Sequence, residues 1–472
     1  MEDLMQKIIS LCKRRGFVFP SSEIYGGFGS CYDFGPLGVE MKNNIKKAWW
    51  EEMIRNHENI VGLDAAILMS PKVWQASGHL TAGFADELVE CKSCHKRFKL
   101  DEITQHPELS NLTSGVCPEC GGELTEPRKF NLMMRTHIGP VEDEAALTYL
   151  RAETCQGIFM NYENALNSMR LKIPFGMAQI GKSFRNEITT KNFVFRTREF
   201  EQMEMEWFCR PKEAEKYFDC WKKERLNWYL NLGIKKDNLR LREVPEEERP
   251  HYAEETVDIE YKFPFGWGEL EAINNRGDFD LSNHSKNSGK DLRYVDPSAG
   301  SGQVKERYFP YIIETSGGID RSFLAILCDA HQEIKGGRTK TTKAVKEIEV
   351  LLKLNKKIAP IKVAILPLVR NKPDLVKKAK EVYQLLKPYF TCQYDELGSI
   401  GRRYRRGDEV GVLYGVTVDF ETLKNNDVTL RWRDSMEQIR VDIKNLLEVI
   451  KKLLKDEIEF NKAGKLIKVS SK

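Results

Sequence analysis

The chain lacks any apolar run approaching the roughly 20 residues that a membrane span needs. Its opening stretch, MEDLMQKIISLCKRRGF, is broken by acids and polar groups. Neither a spanning helix nor a secretion signal is expected, and the chain reads as soluble and cytoplasmic. Net charge is also scarce. Lys and Arg total 74 against 70 Asp and Glu, leaving +4, so any nucleic-acid surface must be a local basic patch and not a wholly basic protein. Of eleven cysteines, seven (Cys12, Cys31, Cys155, Cys209, Cys220, Cys328 and Cys392) show no paired spacing, which argues against a disulfide framework and suits reduced thiols. There is no internal repeat and no low-complexity tract beyond a short polar C-terminus. What is present is 41% hydrophobic residues over 472 positions, enough for two or three domains with substantial cores.

The remaining cysteines form Cys91-x2-Cys94 and Cys117-x2-Cys120, separated by 22 residues, with Gly121-Gly122 just after the last. Four thiolates at this spacing close a tetrahedral zinc shell with no open position, which suits a structural site. Four unpaired cysteines or a disulfide pair is the alternative reading. His95 reads as a solvated neighbour. This segment interrupts regions 1–85 and 130–335, whose aromatics, glycines and short alternating runs suit a mixed domain built on an antiparallel sheet. Lysines then cluster from Gly336 to Lys357 around a helix-like EIEVLLKL run. A second α/β unit follows: a buried strand over Ile361–Val369, a helix over Pro373–Tyr389 with core face Val376, Ala379, Val382 and Leu386, and a strand over Val410–Phe420. A turn at Asn425–Asp427, the strand VTLRW and a long helix over Met436–Ile458 complete it.

Three segments carry chemistry. In the first, Gly35-Pro-Leu-Gly38 opens a helix with apolar positions Val39, Ile45, Ala48, Trp49 and Met53; the pattern serves equally for a core helix or a subunit interface. The second, FRNEITTKNFVFRTREFEQMEMEWF, runs from Phe184 to Phe208. In a strand, Met203, Met205 and Trp207 share one face and Phe200, Gln202 and Glu204 the other, while Arg185 and Glu187 point one way on the preceding strand. Such a hairpin can hold a nucleotide, with arginine on phosphate and an aromatic on the base; a salt-bridged surface hairpin is the alternative. In the third, the strand-like run from Tyr311 turns at Gly317-Gly318 into a helix that buries Phe323, Leu324, Leu327 and Cys328. Its first turn carries Arg321, where free N–H groups favour an anion.

Together these segments resemble motifs 1, 2 and 3 of the class II aminoacyl-tRNA synthetases, in order. The strings EIYGG, YDFGPLGVEMKNNIKKAWW, LDAAILMSPKVWQASGH, GKSFRNEI, FRTREFEQMEMEWF, GSIGRRYRRGDEVG and MEQIRV look like the homodimeric glycyl-tRNA synthetase family over nearly the whole chain. The resemblance implies an α/β (α+β) fold: a class II catalytic domain over 1–340, with an antiparallel six- or seven-stranded sheet flanked by helices. It also implies a zinc-ribbon-like insertion over 86–130, a basic linker over 341–357 and an α/β anticodon-binding domain over 358–472. It implies ATP-dependent attachment of glycine to tRNA(Gly) through glycyl-adenylate, with ATP, Mg²⁺ and a structural Zn²⁺, and a homodimer formed through motif 1.

Amino-acid activation needs positioning and charge neutralisation, not a nucleophilic side chain, because the attacking carboxylate is already ionised. By resemblance, Arg185 holds the α-phosphate, Arg321 the γ-phosphate and Phe200 the adenine, with Glu187 near the base and Mg²⁺ bridging phosphates. Nucleotide contacts extend to Asn186, to Phe195, Arg196, Thr197, Arg198 and Glu199, to Glu269 and Leu270, and to Gly318, Ile319 and Asp320. Glycine has no side chain to recognise, so a tight acidic pocket must grip its ammonium. The matching residues are Glu153; Phe200, Glu201, Gln202, Met203 and Glu204; and Glu314, Thr315, Ser316, Gly317 and Gly318, with Arg276 a candidate for the carboxylate. The chain departs from the family pattern at Ala152, Cys155 and Thr315, none of which removes a charge. For tRNA, Arg402, Arg403, Tyr404, Arg405 and Arg406 suit phosphate contact and base stacking, or else form a solvated basic loop. The alternatives are a catalytically inactive synthetase-like RNA-binding accessory protein, which loss of a motif arginine would favour, and a class II synthetase for serine or threonine.

Overall fold

Alternation over Glu199–Cys209 produces the central strand of the larger sheet: Met203, Met205 and Trp207 enter the main core, and Gln202, Glu204 and Glu206 are buried on the opposite face. The computed structural model describes residues 2–81, 84–100, 115–188, 192–295, 306–338 and 348–467. The central strand pairs antiparallel with Phe175–Phe184 on one side and Tyr311–Gly318 on the other. Seven strands follow the order Leu239–Glu243, Glu255–Phe263, Gly266–Asn275, Tyr311–Gly318, Glu199–Cys209, Phe175–Phe184, Ile60–Gly62. All pair antiparallel except the edge strand Ile60–Gly62, which is parallel to its neighbour.

Helices Pro36–Trp50, Ala214–Asn231 and Ile319–Ala330 pack on the apolar face. In the first, proline at the opening position loses no hydrogen bond, and a five-residue π turn carries the helix to Arg55. Met41, Ile45, Trp49 and Met53 form the buried stripe, each worth about 1.5–3 kcal/mol. Val39, one of the apolar positions of this helix, is exposed, because the i+4 ladder from Trp49 runs through Met41. Gly38 lies so close to Phe17 that an added Cβ would collide with its carbonyl oxygen.

The cysteine segment forms a three-stranded antiparallel module of Ala85–Glu90, Arg97–Lys99 and Arg128–Asn131. The second unit is a six-stranded mixed sheet in the order Cys392–Tyr394, Val363–Pro367, Tyr414–Val418, Asp427–Trp432, Gln438–Asp442, Lys465–Leu466. Helix Pro373–Leu386 buries Leu375, Ala379, Val382 and Leu386, so Leu375 replaces the expected Val376. Two helical expectations fail. EIEVLLKL contributes the strand Ile348–Leu352, paired with His331–Lys335, because its β-branched residues and the Glu349–Arg338 ion pair suit a hairpin. The stretch from Met436 opens with the strand Gln438–Asp442, whose Ile439 and Val441 alternate inward, and only then becomes the helix Ile443–Leu454. The expected linker lysines Lys340, Lys343 and Lys346 lie outside the described residues.

Candidate active site

The polar face of the larger sheet floors a cavity of about 340 Å³. The strand before the central hairpin ends at Phe184, so Arg185 and Glu187 stand on the segment after it, not within a strand as expected; both still border the cavity. Pairing persists briefly, since the Arg185 N–H donates to the Arg198 carbonyl at 2.9 Å. The Arg185 guanidinium lies 5.4 Å from the Phe200 ring centre and 5.5 Å from that of Phe84, and its Nε donates to the Ala152 carbonyl at 3.2 Å. Glu187 is buried, with Arg196 Nε and Lys99 Nζ each 3.6 Å from its carboxylate.

The other wall comes from the strand Tyr311–Gly318, which runs directly into helix Ile319–Ala330 through an extended Gly318. Gly317 is the constrained glycine: an added Cβ would come within 2.9 Å of Met203 Cε. Arg321 lies 4.5 Å from the Phe195 ring centre. It donates to the Phe195 and Glu269 carbonyls at 3.2 Å and pairs with the Glu269 carboxylate at 3.1 Å. Arg196, Thr197, Asp320 and Gly318 complete this end. Two cations therefore face a cavity with exposed ring faces, a geometry for polyphosphate and base.

The far end is acidic. Glu204 stands opposite Ser316 in the sheet register, and Glu206 opposite Glu314. Glu204 accepts from Ser316 Oγ at 2.5 Å, Gln202 Nε2 at 2.9 Å and the Thr154 N–H at 2.9 Å. Glu314 accepts from Asn274 Nδ2 at 2.6 Å and from the Arg276 guanidinium at 3.1 Å. Glu153 faces His79 Nε2 at 3.3 Å. Burial pushes the Glu204 carboxyl up, helped by Glu153, and pushes Glu206 well above the carboxylate range, helped by Glu314. Glu314 is raised by burial to about 7 despite Arg276. For Glu153 burial also works upward, but His79 and Arg276 outweigh it and hold the carboxyl well below its ordinary value. Among the described residues, neither Glu206 oxygen has a hydrogen-bond partner. Glu153, Glu204 and Glu314 border the cavity, and burial disfavours the charged forms of Glu204 and Glu314; a small cation such as an ammonium entering here offsets the cost of ionising them.

Several expected contacts have other employment. Met203, Leu270 and Ile319 point into the core, and Thr315 is buried across from Met205 on the apolar side. Arg198 donates to the Glu187 and Gly29 carbonyls, and Glu199 pairs with Lys182; neither borders the cavity. The Asn186 N–H is taken by the Leu132 carbonyl at 2.8 Å. Arg276, expected to meet a substrate carboxylate, is 1% exposed and held by Asp280, Glu314 and the Tyr252 ring. Glu201 borders the cavity but is ion-paired to Lys42 and Lys46 at 2.8 and 3.1 Å. The sequence reading missed Glu206, His79, Tyr252, Asp258 and Asn274. Glu206 continues the Gln202–Glu204 alternation and was available from it; the others arrive from distant segments with no local signal.

In the cysteine module, all four sulfur atoms lie within 4.8 Å of one another, with Cys91–Cys120 at 3.4 Å and Cys94–Cys117 at 3.8 Å. A tetrahedral Zn–thiolate shell with bonds of about 2.3 Å has edges of about 3.8 Å, so these residues fit a closed zinc site. His95 is exposed near Glu90 and outside the cluster. The arginine run occupies helix Ile400–Glu409, not a loop. Arg403 is buried, donating to the Pro367, Leu368 and Asp395 carbonyls, and Tyr404 packs on Gly415 with its hydroxyl on Thr417, so neither is presented to a nucleic acid. Arg406 pairs with Asp395, and Arg402 is exposed.

Residues 140–331 match the tRNA synthetase class II core domain (G, H, P, S and T), and residues 362–453 match an anticodon binding domain. A prolyl-tRNA synthetase from Cryptosporidium parvum, solved with halofuginone and AMPPNP, superposes with a TM-score of 0.61 at 16% identity, over 95% of this chain and 77% of that one. The fold is therefore that of a class II aminoacyl-tRNA synthetase. Glycine–tRNA ligase of Treponema denticola is 52% identical over 96% of this chain and 97% of its own, and that of Thermobifida fusca 51% identical over 93% and 96%. The chain belongs to the glycine–tRNA ligase family.

Proposed function

We propose that the chain joins glycine to tRNA(Gly) in two steps, forming glycyl-adenylate from ATP with release of pyrophosphate and then transferring glycine to the tRNA with release of AMP. The observation that carries this reading is the cavity itself, with Arg185 and Arg321 at one end and the buried carboxyls of Glu153, Glu204 and Glu314 at the other. Arg185 neutralises charge as the glycine carboxylate attacks the α-phosphate, and Arg321 draws the leaving pyrophosphate away. Phe200 and Phe195 offer ring faces to the base. Glu153, Glu204 and Glu314 hold the ammonium, and the packing of Tyr252 over Arg276 narrows the space a β-carbon would need. Asp258 and Glu269 both border the cavity, and burial next to Glu269 raises Asp258 to about 7, so the pair suits Mg²⁺, which when bound would neutralise phosphate charge.

Zn²⁺ in the cysteine module serves structure, since four thiolates leave no open coordination position. The anticodon-binding unit engages tRNA through its accessible basic groups, Arg402 among them. A homodimer forms through the motif 1 helix, where Val39 and the nearby Ile24, Tyr25 and Phe28 are exposed apolar groups. No described helix is long and apolar enough to cross a membrane, in keeping with a cytoplasmic enzyme. The accessory-protein reading would need a missing motif arginine, and both border the cavity. Amino-acid-dependent ATP–pyrophosphate exchange across the twenty amino acids tests the proposal. Exchange with glycine alone supports it; exchange with serine or threonine, or with none, overturns it.

A further inference from the structure

The module that carries the cysteines is rooted against the nucleotide end of the cavity, and one of its side chains reaches that end. Lys99 closes the strand Arg97–Lys99, and its side chain is only 9% exposed. An ammonium so deeply placed requires anionic partners. It has two. Asp86, on the adjacent strand of the same module, forms an ion pair with it. The second is Glu187, whose Oε2 lies 3.6 Å from Lys99 Nζ and has no hydrogen-bond partner among the described residues. The root of the module engages the neighbouring residues too. The Phe84 ring lies 5.5 Å from the Arg185 guanidinium, the Leu132 N–H donates to the Phe84 carbonyl at 3.2 Å, and the Leu132 carbonyl accepts from the Asn186 N–H at 2.8 Å. Arg185, Asn186 and Glu187 are thus each held from the same side.

We propose that Lys99 is a positioning residue for Glu187, through which the folded state of the cysteine module sets the affinity of the catalytic cavity for nucleotide. Closing the four thiols around a metal holds Cys91 and Cys94 against Cys117 and Cys120, and Lys99 follows Cys94 on the strand Arg97–Lys99. Opening the module withdraws the ammonium and leaves Arg196, also 3.6 Å from the carboxylate, as the one remaining cation beside Glu187 among the described residues, so the carboxylate loses half of what holds it towards the nucleotide. The inference rests on Glu187 belonging to the nucleotide site.

The test is calorimetric binding of a non-hydrolysable ATP analogue to full-length K99M, K99R and E187Q, with zinc content and the KM for glycine measured on each. K99M is expected to bind the analogue about tenfold more weakly with full zinc content, as loss of a group that orients a ligand-contacting residue commonly does. K99R is expected to recover most of the loss, with the KM for glycine shifting less than twofold, a split that general destabilisation would not give. Wild-type affinity in K99M beside weakened E187Q overturns the Lys99 link alone. Wild-type affinity in E187Q overturns the placing of Glu187 itself. Should K99M lose zinc, D86N takes its place, because it keeps the thiols and the ammonium but removes the anchor of Lys99 within the module; weaker analogue binding at full zinc supports the proposal, and unchanged binding overturns it.

Discussion

Arg321 and Glu314 divide the work of the cavity between charge capture at one end and charge release at the other. Arg321 sits in the first turn of its helix with one carboxylate partner, Glu269, and two carbonyls, so its guanidinium is placed but not consumed. Arg321→Ala is expected to lower glycine-dependent ATP–pyrophosphate exchange by at least about 10²-fold, the usual cost of removing a preorganised electrostatic group; near-normal exchange would remove it from the mechanism. Glu314 titrates at about 7 in the folded protein, above its ordinary 4.5, because burial penalises its charge. The folded state therefore holds this proton more tightly than the unfolded chain. The stability contributed by the group is full below 4.5 and is lost as pH rises to about 7. An arriving ammonium reverses the penalty. Glycine binding near pH 7 is expected to release roughly half a proton, read by calorimetry in buffers of different ionisation enthalpy; heats that do not vary with buffer would mean that Glu314 does not meet the ammonium.

Among the secondary-structure elements, alternation over Glu199–Cys209 was legible because a strand between a core and a cavity must sort its side chains by face. Helix Ile400–Glu409 shows what composition conceals. Its arginines look interchangeable in sequence, yet Arg403 caps three carbonyls in the interior while Arg402 faces solvent. Arg403→Ala should destabilise the C-terminal unit by about 2–4 kcal/mol, since it orphans buried acceptors, measured by urea unfolding. Arg402→Ala should leave stability within about 0.5 kcal/mol and lower tRNA affinity in a salt-dependent way. Equal destabilisation by the two would refute the distinction. Misreading the strands Ile348–Leu352 and Gln438–Asp442 as helix has the same root: their pairing partners lie at His331–Lys335 and Asp427–Trp432, and short apolar runs carry either period until a partner is known.

For the whole molecule, the exposed side chains of Ile24, Tyr25 and Phe28, with Val39 on the helix Pro36–Trp50, form the apolar surface on which the proposed homodimer would close. Burying an apolar side chain is worth about 1.5–3 kcal/mol, so the double substitution Ile24→Asp and Tyr25→Lys should weaken dimerisation by roughly 100-fold or more. Light scattering over a concentration series would show it; an unchanged dimer would place the interface elsewhere. The sequence by itself determined the cysteine quartet through its spacing and the central strand through its alternation, and its long family-like strings supplied the class of fold and the two arginines, because all of these are written in order along the chain. Only the tertiary structure decided which charged groups are free to act. It brought His79, Tyr252, Asn274 and Glu206 to the acidic end, committed Arg276, Arg198 and Arg403 to internal partners, and set Lys99 beside Glu187. A buried charge is available or spent according to the neighbours that pack around it, and those neighbours come from segments far apart in the chain.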